Sequence, residues 1–342
     1  MRRSMVTPLL LAFIGALGLG TGAAASDEAP GWRARLQAQR ERPAAVPSWA
    51  TPGTHRVEVR HDGLTRHALV HLPPGFRSGV STAVVLAFHG GAGDAAYMAD
   101  DARYGLISLA DRGNFVIVFP SGYSRFPRGK LATWNAGDCC GDARDRQVDD
   151  VGFVRALLHQ LGQHIPITPQ RTFAMGMSNG AMMSYRLACE MSDAFRAIAA
   201  VAGTEALPRC QPTQPLGILH IHARDDTHVR FDGGAGPDAF RDASKVMDFV
   251  SVPTTISRWV MRQHCTPTAR RTLEVPGAYC ESHTGCEGGV EVRLCVTASG
   301  GHAWPGSPGK RLGRKPAPSQ ALSANAQAWA FFQAQSQATL PR

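Results

Sequence analysis

Short, unbroken apolar runs alternate along this chain with stretches whose apolar positions recur every three or four residues. Residues 83–88 (AVVLAF) and 115–119 (FVIVF) are too short for helices and show no polar alternation, as expected of strands buried on both faces of a sheet. Residues 171–175, 197–201, 216–222 and 290–297 read as further strands. Helical periodicity covers 97–112, 151–164, 181–189 and 322–333. Upstream, 54–59 and 66–72 alternate polar and apolar residues about an Asp62-Gly63 turn, the pattern of a β-hairpin. The rhythm predicts an α/β protein with a mainly parallel, doubly wound sheet and that hairpin as its antiparallel N-terminal edge.

The N-terminus follows a different rule. Arg2-Arg3 precede an apolar run over 9–19, interrupted only by glycine, and Ala23-Ala24-Ala25 supplies an A-x-A cleavage pattern. The run is too short to span a bilayer, so 1–25 reads as a secretory signal peptide. This predicts an exported protein, extracellular or periplasmic, without a stable membrane anchor after cleavage. Residues 26–53, rich in Arg, Ala and Pro, read as a leader with a short helix over 32–40. Residues 54–335 read as one domain, since neither internal repeats nor a low-complexity linker divide them.

Loss of Arg2 and Arg3 with the signal lowers the net charge from +9 to +7. That excess would draw an acidic polymer by long-range attraction. The basic residues are scattered, however, apart from Lys310-Arg311 and Arg314-Lys315, and there is no nucleic-acid-binding motif. Nucleic acid is therefore not an expected partner. Eight cysteines in an exported chain point to disulfides. They fall into two groups, Cys139, Cys140, Cys189, Cys210 and Cys265, Cys280, Cys286, Cys295, with pairing expected inside each. No C-x-x-C pair suggests a zinc ribbon. His220 and His222 have a spacing that can bind zinc, but no third ligand accompanies them, and they read as packing and hydrogen-bonding residues. No metal or cofactor is expected.

Candidate chemistry centres on Gly176-Met177-Ser178-Asn179-Gly180, a G-x-S-x-G between a buried strand and a helix of small residues. In that setting the serine sits on a sharp turn with its hydroxyl above the sheet. A serine hydroxyl needs a base and an orienting acid to act as a nucleophile. The order Ser, Asp, His is met by Ser178, then Asp226 (beside Asp225, which leaves the choice of acid open), then His302 in a glycine-rich loop. His89-Gly90-Gly91 follows the 83–88 strand and can aim backbone N–H groups at a developing oxyanion. Gly91 and Asn179 are the expected donors. Asp149 and Asp150 read as a helix N-cap, and His159 and His164 as helix-surface residues.

Taken together, His89-Gly90-Gly91, 133–141 (TWNAGDCCG), 148–153 (VDDVGF), the G-x-S-x-G and 301–306 (GHAWPG) resemble the secreted α/β-hydrolase esterases. That family includes short polyhydroxybutyrate depolymerases, LpqC-like proteins and feruloyl or acetylxylan esterases. The resemblance spans about residues 54–335, nearly the whole mature chain. It implies the α/β-hydrolase fold and a serine carboxylic-ester hydrolase working through an acyl-enzyme. The implied substrates are hydroxyalkanoate oligomers or polyesters, or feruloyl and acetyl groups on polysaccharides. It also implies Asp226 as the acid, four residues after His222, and Trp134 with Asn135 as lining of the acyl pocket, against a reading of Trp134 as ordinary loop packing. Trp304-Pro305 reads as fixing the His302 loop, with Trp304 as a further candidate substrate contact. Rival readings are a non-catalytic exported binding protein on the same scaffold and an amidase for an acidic polymer.

Overall fold

Ten strands form a single sheet in the order β1-β2-β4-β3-β5-β6-β7-β10-β9-β8. They are β1 (Gly53–His61), β2 (Leu64–Leu72), β3 (Val84–Phe88), β4 (Val116–Pro120) and β5 (Thr172–Met177), then β6 (Ala197–Val201), β7 (Gly217–Ala223), β8 (Arg270–Val275), β9 (Ala278–His283) and β10 (Val292–Thr297). The computed structural model describes residues 50–239, 247–308 and 317–338, all within the unit Val46–Arg342. The expected signal peptide, the leader up to residue 49 and the basic pairs at 310–315 lie outside the described residues.

Six strands, β4 to β10 across the middle of that order, run parallel. The β1–β2 hairpin pairs antiparallel about Asp62-Gly63 and joins β4 at one edge. The described chain thus has the α/β-hydrolase fold with the expected N-terminal hairpin. A second antiparallel hairpin, β8–β9, attaches to β10 at the other edge and is not among the sequence expectations.

Alternation decides which face each side chain joins. Val84, Leu86, Phe88, Val116 and Val118 enter one apolar layer with Phe153, Leu157, Met183, Leu187 and Trp259. Val85, Ala87, Ile117 and Phe119 enter the other, against Leu109, Ala110, Phe331 and Phe332. Helices Asp150–Gly162, Asn179–Glu190 and Val252–Arg262 therefore cover one face, and helices Leu106–Gly113 and Ala324–Gln337 the other. Each large side chain buried this way contributes roughly 1.5–3 kcal/mol, so burial on both faces, not hydrogen bonding, dominates the sheet's stability.

The 97–112 periodicity resolves into three short helices, Ala95–Met98, Asp101–Tyr104 and Leu106–Gly113. The reason is local. Asp94 and Asp100 each cap a new start by accepting from Tyr97 and Ala102 N–H, and Gly105 turns the chain at φ 65°. Asp149 caps Asp150–Gly162 by accepting from Gly152 N–H, as expected. Asp150 does not share that task. It is fully buried, accepting from Arg66 Nη2 at 2.7 Å and from Asn135 N–H at 2.8 Å.

The cysteines pair as Cys139–Cys140, Cys189–Cys210, Cys265–Cys286 and Cys280–Cys295, each within its group. Cys280 and Cys295 face each other in register on β9 and β10, tying the second hairpin to the parallel sheet. Among the described residues, no helix is long and apolar enough to cross a membrane.

Candidate active site

Parallel strands end on one side of the sheet, so the turns after β3, β5, β7 and β10 gather at its carboxyl edge. Those turns carry His89–Gly91, Ser178, Asp226 and His302.

Ser178 lies between β5 and helix Asn179–Glu190 at φ 56° and ψ −122°, a conformation that a residue with a Cβ holds only when its surroundings enforce it. Its N–H donates to the Val201 carbonyl at 2.8 Å. The two glycines of the motif permit the turn. A Cβ on Gly176 would overlap the Gly180 carbonyl, and one on Gly180 would overlap the Phe88 carbonyl and come within 2.6 Å of His89 O. Because the helix begins at Asn179, its N–H has no intrahelical acceptor and stays available at the positive end of the helix dipole.

The turn after β3 presents the second available donor. Ala92 N–H is spent on Ala132 O at 2.8 Å and Gly93 N–H on Gly90 O at 3.1 Å. Among the described residues, Gly91 N–H has no partner. His89 shapes this turn. Its Nδ1 lies 2.8 Å from Gly90 O, which can only accept, so Nδ1 carries the proton; Nε2 then accepts from Gly122 N–H at 2.9 Å. Burial holds His89 down at about 4, so the ring is neutral at pH 7.

This has a measurable consequence. The unfolded chain, with histidine near 6.5, binds a proton that folded His89 refuses, so stability rises with pH between about 4 and 6.5. From full stability above that window, about 3 kcal/mol is expected to be lost as pH falls to 4. Buried His220, also held well below its ordinary value by burial and by neighbouring His222, acts with the same sign. Urea midpoints at pH 7.5 and 5.0 check this, and equal midpoints would contradict it.

Asn179 links the two donor turns. Its Oδ1 accepts from Trp134 N–H at 2.7 Å, its Nδ2 donates to Trp134 O at 3.0 Å, and the Trp134 indole N–H donates to His89 O at 2.9 Å. Trp134 is completely buried and does not line the cavity, contrary to its expected place as a substrate contact. Trp304 is buried too. Its indole N–H donates to Asn325 Oδ1 at 2.8 Å, and its ring meets Tyr104 edge-on at 5.5 Å. Both rings are too large and apolar to stay at the surface when a neighbouring layer can cover them. Trp304 supports Tyr104, which does line the cavity.

The two adjacent acids have separate partners. Asp226 Oδ2 lies 2.8 Å from His302 Nδ1, while Oδ1 accepts from the N–H groups of His228 (2.8 Å) and Val229 (3.1 Å). Asp225 instead accepts from Gly300 N–H (3.3 Å) and Gly301 N–H (2.8 Å), anchoring the loop that carries His302. Burial alone would raise the Asp226 carboxyl. Hydrogen bonds from His222 and His302 outweigh it and hold the group well below the usual carboxylate range. His302 is further fixed by His228, whose ring stacks on it at 4.5 Å and 10°. Nothing in the sequence pattern marks His228, because stacking depends on where two separate loops meet.

Ser178 and His302 open onto one cavity of about 340 Å³, lined also by Gly91, Asn179, Tyr97, Tyr104, Met177, Met182 and Phe249. Among the described residues, Ser178 Oγ has no hydrogen bond; such contacts often tighten only when substrate binds. Asp226, His228 and His302 each offer a ligand atom within 4.8 Å of the others, a grouping that could hold a metal ion. Asp226 and His302 already bond to each other.

No family model matches the chain. Feruloyl esterase B of Piromyces equi is 28% identical over 243 residues, 70% of this chain and 42% of that protein. A Nocardia uniformis subsp. tsuyamanensis protein named as an esterase, NocK, is 29% identical over 265 residues, 73% of each chain. The chain thus spans under half the length of the first relative and about three quarters of the second. Among solved structures, acetyl xylan esterase from Aspergillus awamori superposes with a TM-score of 0.51 at 12% identity, covering 82% of this chain and 99% of that one. The chain is an α/β-hydrolase by fold, and its sequence relatives bear the names of the esterase family that its motifs resemble.

Proposed function

We propose that this protein is an exported carboxylic-ester hydrolase with Ser178 as nucleophile, His302 as base and Asp226 as orienting acid. The observation that carries this reading is the His302 Nδ1–Asp226 Oδ2 contact beside a strained Ser178 on the same cavity. With Nδ1–H committed to Asp226, Nε2 is left to take the Ser178 proton as Oγ attacks the ester carbonyl. Asp226 stabilises the imidazolium that results. The N–H groups of Gly91 and Asn179 receive the oxyanion of the tetrahedral intermediate, each worth roughly 3 kcal/mol in the transition state. The alcohol leaves with the proton from His302, and water hydrolyses the acyl-enzyme by the same route. Four disulfides support export to an oxidising compartment.

The acyl group we assign is planar and aromatic, of the feruloyl kind, esterified to a saccharide. Tyr97 and Tyr104 meet edge-to-face at 5.8 Å on one side of the cavity, and Met177, Met182 and Phe249 add polarisable apolar surface. Methyl ferulate is expected to be hydrolysed with a kcat/KM roughly tenfold or more above that for hydroxybutyrate trimers. The panel should add acetylated xylan and the amide analogue of methyl ferulate. A preference for the trimer would reassign the acyl group to hydroxyalkanoates, and faster cleavage of the amide would replace the esterase reading by an amidase.

A further inference from the structure

Behind the proposed triad, three fully buried polar rings form a hydrogen-bonded row that the mechanism above does not use. Tyr185 OH lies 2.8 Å from His220 Nδ1, and His220 Nε2 lies 3.0 Å from His222 Nδ1. His222 Nε2 lies 2.8 Å from Val229 O and 3.3 Å from Asp226 Oδ2. The two imidazoles lie edge to edge and nearly coplanar, with centroids 5.2 Å apart and planes 7° apart, and none of the three residues is more than 1% exposed.

The direction of the protons follows from the last link. Val229 O and the Asp226 carboxylate can only accept, so His222 Nε2 must carry a proton. A neutral His222 then has a bare Nδ1, which accepts from His220 Nε2–H. His220 Nδ1 is bare in turn and accepts from the Tyr185 hydroxyl. Every donor and acceptor in the row is satisfied, with no charge buried besides Asp226. Running the row backwards would set the Nε2 lone pair of a neutral His222 against two oxygen acceptors, or require a buried cation.

We infer that His222 is a positioning residue for the triad acid, and that Tyr185 and His220 lock it in the tautomer whose Nε2–H faces Asp226. This rests on the reading of Asp226 as that acid. His222 grips the turn twice: through Val229 O, whose own N–H holds Asp226 Oδ1, and through Oδ2, the oxygen that faces His302. The carboxylate plane is thereby fixed from both ends, and His302 Nδ1 meets an oxygen that cannot rotate away. The row starts on helix Asn179–Glu190, which the nucleophile turn begins, and runs through β7 to the acid turn.

The test compares steady-state kinetics of the mature protein on p-nitrophenyl acetate across five variants, with thermal melts to follow folding. His222→Leu is expected to lower kcat roughly 10- to 100-fold, the worth of a hydrogen bond to a charged group, with KM within twofold of wild type. His222→Gln, which keeps an N–H donor on a chain of similar reach, is expected to recover much of that loss. In an Asp226→Ala background, His222→Leu should cost no more than twofold, because its target is gone. Tyr185→Phe, nearly isosteric and expected to fold even if His222→Leu does not, should lower kcat several-fold. Wild-type kcat in His222→Leu, or an undiminished effect on top of Asp226→Ala, overturns the positioning role. Wild-type kcat in Tyr185→Phe overturns the tautomer lock. Full activity in Asp226→Ala alone would instead strike the triad assignment, which keeps the two failures distinguishable.

Discussion

Ser178→Ala is expected to lower kcat on p-nitrophenyl butyrate by at least about 10⁴-fold while leaving the fold intact. The side chain makes no hydrogen bond among the described residues and packs in no apolar layer, so its loss should leave the melting curve nearly unchanged. The backbone at 178 keeps its strained conformation, because Gly176, Gly180 and the Val201 carbonyl enforce it and not the hydroxyl. What disappears is the hydroxyl that forms the acyl-enzyme in the proposed mechanism. Alanine at such a nucleophile removes nearly all catalysis beyond what the oxyanion donors and substrate binding supply. Initial rates of purified mature protein and variant measure it. Activity persisting in the variant would exclude Ser178 as nucleophile, and inactivity of both proteins would favour a binding role for the scaffold.

Asp226→Asn is the second large effect, expected at about 10⁴-fold in kcat, and the geometry explains why an isosteric change does so much. The N–H groups of His228 and Val229 both point at Oδ1 and require an oxygen there. The asparagine amide must therefore turn its NH₂ towards His302 Nδ1, which can then only accept. The proton moves to Nε2, and His302 can no longer take one from Ser178. Asp225→Asn should cost about tenfold or less, since its oxygens hold only the Gly300 and Gly301 N–H groups and an amide oxygen retains one such bond. Initial rates of the two variants, compared at pH 7.5, separate the roles. A larger loss in Asp225→Asn would transfer the acid to that residue.

Much of this candidate site is legible in the chain itself. Chain order places Ser178, Asp226 and His302 each just after a different parallel strand, β5, β7 and β10, and parallel strands deliver such loops to one edge wherever they sit in the sequence. The elbow was legible for the same reason, because glycines at 176 and 180 are demanded by contacts that any strand–turn–helix of this kind makes. Helix Val252–Arg262 also carried a readable start, Ser251 as N-cap with Pro253 in the first turn, although it was not among the expected elements. The β8–β9 hairpin left a weaker mark. β8 is an edge strand whose residues are exposed or half-buried, so no apolar alternation announces it.

The expected pocket residues fared differently. Trp134 and Trp304 sit in motifs that resemble an esterase family, yet both turn inward, one to hold His89 and the other to support Tyr104. The wall is built instead from Tyr97, Met182 and Phe249, which come from three distant parts of the chain.

The sequence by itself determined the parallel strands of the sheet, its N-terminal hairpin, the exchange of apolar faces along those strands and the order of the candidate side chains. These depend on periodicities of two and 3.6 residues and on the steric needs of one tight turn, all local properties. The tertiary structure alone decided which of two adjacent acids meets His302. It also aligned Tyr185, His220 and His222 behind Asp226, and tied the Asn179 side chain through Trp134 to the His89–Gly91 turn. Hydrogen bonds reach about 3 Å and tolerate little misdirection, so such pairings follow from how distant loops close on one another, which neighbouring residues do not encode.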